Sequence, residues 1–184
     1  LGRFANDLPP QPCRDRQHPW VFPGNDGGQR RRAEHGNEFV HFSIRAIVAA
    51  QMAKRRGLQV KSLWEHLEDL GRLHRGEPAS VWQLPEVRTA FGNSRFCTVA
   101  LHQCIFEVDY KKPTRLFSDM EGLDQIGVGG WPTFDAGGWY TGPLPHECGH
   151  RHPPGKNIGK NKHGGYNVSP TAAYPPLMCQ FLAN

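Results

Sequence analysis

Glycine and proline limit what this chain can fold into more than any other feature. It holds 21 glycines and 16 prolines among 184 residues, one position in five. Proline lacks an amide proton and fixes φ, while glycine leaves the backbone unrestrained, so both interrupt helices and strands. A chain punctuated this often is expected to carry a modest core joined by long ordered loops. No stretch approaches ~18 consecutive apolar residues, so no membrane-spanning helix is expected. The formal charge is +5, which favours acidic partners. Five cysteines at irregular spacings, with no hydrophobic leader ahead of them, argue against a secreted disulfide framework. Their thiols are expected to be reduced, buried or metal-bound, in the nucleus or cytoplasm. Opening on Leu1 rather than Met suggests a processed product or a piece of something longer.

Breaker density divides the chain. Residues 1–36 carry Pro9, Pro10, Pro12, Pro19 and Pro23 with Gly24, Gly27 and Gly28, and read as a loop or arm ending in the solvated run Arg30, Arg31, Arg32. A helix is predicted from Asn37, a good N-cap, to Arg56, with Lys54, Arg55 and Arg56 at the negative end of its dipole and Gly57 as the stop. Its apolar residues spread widely around the axis, so it is expected to be buried on most sides. Strands are predicted at 58–64, 96–101 and 114–118, with two short helical turns split at Pro85 between the first and second. Strand, helix and strand in this order favour an α/β core over 37–120. A loop-rich basic insert follows over 121–170, and a terminal helix with prolines in its first turn over 171–184.

Four groups of residues could carry chemistry. In His146, Cys148, His150 and His152 every second residue is a nitrogen or sulfur ligand, and an extended backbone would turn all four to one side. Cys104 or Cys97 could complete a zinc site with them. Glu65, Glu68 and Asp69 follow a predicted strand, where α/β sheets place ligand-binding groups; a helix start seeking negative charge explains them equally well. Lys111, Lys112 and Arg115 surround Pro113, which holds the preceding backbone extended, a pattern suited to phosphate contact or to local ion pairing with Glu107 and Asp109. Cys13 lies between Arg14 and Arg16, whose positive charge favours a nucleophilic thiolate. No G-x-G-x-x-G after a strand, no P-loop and no G-x-S-x-G occurs, so the common nucleotide-binding and hydrolase motifs are absent.

The order of the pieces Trp64-Glu-His-Leu-Glu-Asp69, Ser80-Val-Trp-Gln-Leu-Pro85, His102-Gln-Cys104, Lys112-Pro-Thr-Arg-Leu-Phe117, Cys148-Gly-His-Arg-His152 and Ala173-Tyr-Pro-Pro-Leu-Met-Cys179 resembles a methyltransferase-like domain of retroelement polyproteins. That domain is similar in turn to the later half of the DNA cytosine-5 methyltransferases, a class I S-adenosylmethionine-dependent family. The resemblance implies a partial Rossmann-like sheet carrying the target-base side. Glu65 would match the family's Glu-Asn-Val glutamate, which holds the cytosine ring, although His66 and Leu67 replace the residues that follow it. Arg115 would match the arginine of the Gln-x-Arg-x-Arg strand, of which only one arginine remains. Cys13 would match either the nucleophile of the Pro-Cys motif or a Pro-Leu-Arg segment downstream of it. The S-adenosylmethionine-binding half is not in this sequence, so the resemblance implies a chain inactive alone, completed by the rest of a longer polyprotein.

A second reading is a non-catalytic module. In it Cys104, Cys148, His150 and His152 bind zinc, and Lys111, Lys112, Arg151, Lys156, Lys160 and Lys162 contact nucleic acid, DNA rather than RNA. A third is a relic whose bare sheet edges and apolar surface favour pairing with another chain.

Overall fold

A computed structural model describes residues 13–68, 70, 79–91, 96–153 and 169–183. Pro9, Pro10, Pro12, Asp69, Lys156, Lys160 and Lys162 lie outside these residues.

Helix α1 spans Gly27–Arg55. It begins ten residues ahead of the predicted start, because Asp26 and not Asn37 is the cap: the Asp26 carboxylate accepts from the Gln29 amide at 2.7 Å. The expected boundary of the arm at residue 36 therefore falls inside a helix. The first turns are secured by the Arg30–Glu34 pair at 2.8 Å, an i,i+4 contact, while the Asn37 side chain bonds Trp20 and Arg14. The end forms as expected. Gly57 adopts φ +84°, the Leu58 amide reaches back to the Ala53 carbonyl and the Gly57 amide to Lys54, a Schellman closure.

A four-stranded sheet lies against α1. Its strands are β1 (Leu63–Leu67), β2 (Cys97–His102), β3 (Pro113–Ser118) and β4 (Val128–Gly129), in the order β1-β3-β2-β4. β2 and β3 fall where the sequence places them. β1 starts later than predicted, because β3 offers partners only from Leu63, opposite Ser118, to Leu67, opposite Thr114. All three ladders are antiparallel. The parallel pairing of a Rossmann-type sheet does not occur among the described residues, and the link from β2 to β3 shows why. Only residues 103–112 connect them, too few for the crossover that parallel neighbours need. The architecture is mixed α/β with a small antiparallel sheet.

Period-2 alternation sends Trp64, Arg115, Phe117 and Ala100 to one face and Leu116, Val99 and Leu101 to the other. On the first face Trp64 and Phe117 pack with Ile47 of α1, with Trp82 of a 3-10 turn (Val81–Gln83), with Leu84, which caps that turn, and with Val87 of helix α2 (Pro85–Phe91). On the second, Val99, Leu101 and Leu116 pack with Phe106, Leu123 and Met178, the last from helix α3 (Pro176–Ala183). A two-stranded ladder of β5 (Thr133–Phe134) and β6 (Tyr140–Gly142) brings Tyr140 and Leu144 onto Ala100.

The expectation that the long helix is buried on most sides is not met. Only Ala33 and Ile47 of α1 are buried, while Phe39 is 62% exposed and Phe42 65%. The sheet lies on one side of α1, and the opposite apolar side faces out. No helix among the described residues is long and apolar enough to cross a membrane.

Candidate metal centre

Two segments meet at the end of β2. The first continues into a 3-10 turn (Gln103–Phe106) that carries Cys104, and buried polar contacts lock it in place. The Gln103 amide nitrogen donates to Thr114 Oγ1 at 3.0 Å, and the Gln103 backbone amide donates to the Lys112 carbonyl at 3.0 Å. Cys104 is left almost fully buried at 6% exposure. The second segment follows β6. Leu144 plugs into the core with its amide on Tyr140 Oη at 2.9 Å, His102 Nε2 pairs with the Pro145 carbonyl at 2.8 Å, and Lys111 Nζ donates to the His146 carbonyl.

The backbone then turns at Gly149, φ +75°, which brings Cys148, His150 and His152 back over Cys104. Cys104 Sγ lies 3.3 Å from His150 Nδ1, and Cys148 Sγ 3.0 Å from His152 Nε2. All four ligand atoms lie within 4.8 Å of one another, so the cluster could hold a metal ion. The other ring nitrogen of His152, Nδ1, sits 3.1 Å from the Asp109 carbonyl. That bond places the proton on Nδ1 and turns a bare Nε2 toward the cluster, as the outer shell of a metal-bound histidine does. The expected extended presentation of four ligands is corrected here. The segment is a turn, and His146 leaves the set, its ring edge-on to Tyr140. Cys104 and not Cys97 completes the cluster.

The thiols differ in their setting. Burial, reinforced by the Cys148 sulfur, pushes Cys104 up to about 11. Burial also raises Cys148, but hydrogen bonds to the His150 backbone, His152 and Cys104 outweigh it, and that thiol ends below its usual value. His152 rises, through its bonds to Cys148 and to the Asp109 carbonyl.

The residues that resemble methyltransferase positions do not converge. Arg115 points to the α1 face of the sheet. There it pairs with Glu68, Nε–Oε2 2.6 Å and Nη2–Oε1 2.7 Å, both side chains 0% exposed. Its Nη1 donates to Thr98 Oγ1 at 2.8 Å and to the Gly130 carbonyl, and Tyr140 Oη donates to Glu68 Oε1 at 2.5 Å. Four of the five N–H donors of the guanidinium fork are thus occupied by protein. Glu65, one residue out of phase with His66 and Glu68, points to the opposite face and accepts from Tyr174 Oη at 3.2 Å. Burial, with Glu65 beside it, pushes Tyr174 up to about 12. Cys13 is half-buried in the loop ahead of α1, its carbonyl accepting from Phe22 and Asn25, while the Arg14 guanidinium is taken up by Asn37 and the Ala33 carbonyl. Lys112 reaches the Thr171 carbonyl at 3.2 Å, so Lys111 and Lys112 both brace neighbouring loops. Arg151 is exposed.

Sequence reasoning missed Glu68 as the partner of Arg115. The signal was present, since Trp64 is an evident core residue and Glu68 lies two full periods further along the same face.

No family model matches the chain, and no curated protein and no solved structure is significantly similar to it.

Proposed function

We propose that this chain is a non-catalytic, basic nucleic-acid-binding module whose binding loop is held on the sheet by a structural zinc ion. The observation that carries the reading is the Cys104, Cys148, His150 and His152 cluster. A tetrahedral ion with bonds of about 2.3 Å to sulfur and 2.0–2.1 Å to nitrogen spaces its ligands roughly 3.3–3.8 Å apart. Of the two sulfur–nitrogen contacts, the one at 3.3 Å is at the lower edge of that spacing and the one at 3.0 Å a few tenths of an ångström short of it. Two thiolates and two neutral imidazoles would complete the shell with no open position, the composition of a structural site rather than a catalytic one. When bound, zinc supplies a cross-link between the β2 end and the 146–152 segment.

That cross-link would give the exposed Arg151 a rigid base from which to meet phosphates. The methyltransferase-like alternative asks Glu65 and Arg115 to grip one base, and their opposite faces and the Glu68 pairing leave it without a geometric footing. Native mass spectrometry with metal analysis tests the first half of the proposal: one zinc per chain is expected, lost in Cys148→Ser. Fluorescence anisotropy on labelled DNA tests the second. Affinity should fall steeply between 50 and 200 mM salt, and by a smaller step on Arg151→Ala. A metal-free chain, or affinity indifferent to salt, overturns the reading.

A further inference from the structure

Cys104 and Cys148 come from segments far apart in the chain, and the fold sets them side by side. Both thiols are free, their sulfur atoms lie within 4.8 Å of each other, and a hydrogen bond joins them. A disulfide needs sulfurs about 2.0 Å apart, so closure asks for a movement of less than about 3 Å. The backbone beside Cys148 can supply it. It belongs to neither helix nor strand, and it turns at Gly149, around which there is open space. The other described thiols stand apart: Cys97 at the far end of β2, Cys13 ahead of α1 and Cys179 on α3. Exposure gives the two neighbours different parts. Cys148 is half-buried and within reach of solvent, whereas Cys104 is 6% exposed. A small oxidant therefore meets Cys148 first, and Cys104 is placed to resolve what forms there. Each sulfur has an imidazole nitrogen beside it to take up a proton, His152 Nε2 at 3.0 Å from Cys148 and His150 Nδ1 at 3.3 Å from Cys104.

We infer that Cys104 and Cys148 form a peroxide-responsive dithiol that governs metal occupancy of the cluster, an inference that rests on the zinc reading of the same four residues. The Cys148 sulfur attacks one oxygen of hydrogen peroxide, the O–O bond breaks, and the departing oxygen takes a proton and leaves as water. Cys148 is then a sulfenic acid. The Cys104 sulfur attacks it, the S–O bond breaks, and the hydroxyl leaves with the second proton as another water. In balance, two thiols are oxidised to one disulfide while one peroxide is reduced to two waters. Where zinc holds the sulfurs in place of their two protons, solvent supplies those protons. The disulfide withdraws both anionic donors at once. Two neutral imidazoles do not make the four-ligand shell of a structural site, so the metal leaves.

The test treats the full chain, reduced and zinc-loaded, with stoichiometric hydrogen peroxide, and follows zinc with a chromophoric chelator while peptide mapping locates the oxidised thiols. Release of one zinc per chain is expected, together with a Cys104–Cys148 cross-linked peptide lighter by about two mass units than its reduced halves. Dithiothreitol followed by added zinc should reverse both changes. In Cys104→Ser the oxidation should stop at a Cys148 sulfenic acid, captured by dimedone, and Cys179→Ser should leave release unaltered. Should Cys104→Ser fail to fold, peptide mapping of the wild-type chain answers the same question. The same treatment of the metal-free chain separates this inference from the zinc reading. A reduced chain that binds no zinc yet forms the 104–148 link overturns the zinc reading and supports the thiol pair. A loaded chain that keeps its zinc under peroxide overturns the inference, and so does a disulfide that joins any other pair of cysteines.

Discussion

Arg115 shows how one step along a strand decides what a residue can do. Fully buried, it is held by a carboxylate, a hydroxyl, a carbonyl and the edge of a tyrosine-centred network. Removing one member of such a pair leaves an uncompensated buried charge, which costs far more than the pair itself contributes. Glu68→Gln is therefore expected to lower stability by about 3–5 kcal/mol, read as a shift in the urea midpoint at pH 7. Glu65→Gln, with an amide oxygen still able to accept from Tyr174, should change it by less than about 1 kcal/mol. Equal losses in the two variants would mean that the assignment of faces is wrong. Motif order singled out Glu65 because motifs are read along the chain. Partnership across a sheet is read by parity, and only the buried Trp64 tells which parity faces the core.

At the scale of the element, α1 separates what local chemistry specifies from what packing decides. Its end was evident from Gly57 and the preceding cations, because a left-handed cap is a local requirement. Gly57→Ala should cost about 1–2 kcal/mol, the penalty for a Cβ at φ +84°, with open space around the site so that no steric term adds to it. Thermal melts of the variant beside wild type check this. The start of α1 was hidden by Gly27, Gly28 and Gly36, whose poor helix propensity the Asp26 cap and the tertiary contacts of Trp20 and Arg14 override. Asp26→Ala should destabilise by about 1 kcal/mol and fray the first turns, seen as faster amide exchange around residues 28–32. The strands at 97–102 and 113–118 were evident for the opposite reason. They are β-branched or aromatic and bounded by breakers, so propensity and packing agree there. Parallel or antiparallel pairing was not visible in either strand, since it follows from the length of the link between them.

For the whole molecule, the Cys/His cluster is where sequence and fold meet. Cys148, His150 and His152 are near neighbours in the chain. Cys104 joins them because the 103–112 link, braced by Lys111 on the His146 carbonyl and Lys112 on Thr171, carries the end of β2 to the same place. A metal held there would tie the sheet to the segment after β6, so its binding free energy is also folding free energy. Chelation should lower the melting temperature, and by the same amount as Cys148→Ser, since both remove one cross-link. The dependence on pH follows from the thiols. Cys104 titrates near 11, so at neutral pH it is protonated and a metal must displace that proton to bind. Affinity should consequently fall by at least roughly tenfold for each unit of pH lost below 8, one factor for each proton displaced, and more steeply once His152 charges. The sign is fixed: acid releases the metal and base retains it. A competition titration against a chromophoric chelator between pH 6 and 8 measures the slope, and a flat profile would place the ion on oxygen ligands elsewhere rather than on Cys104.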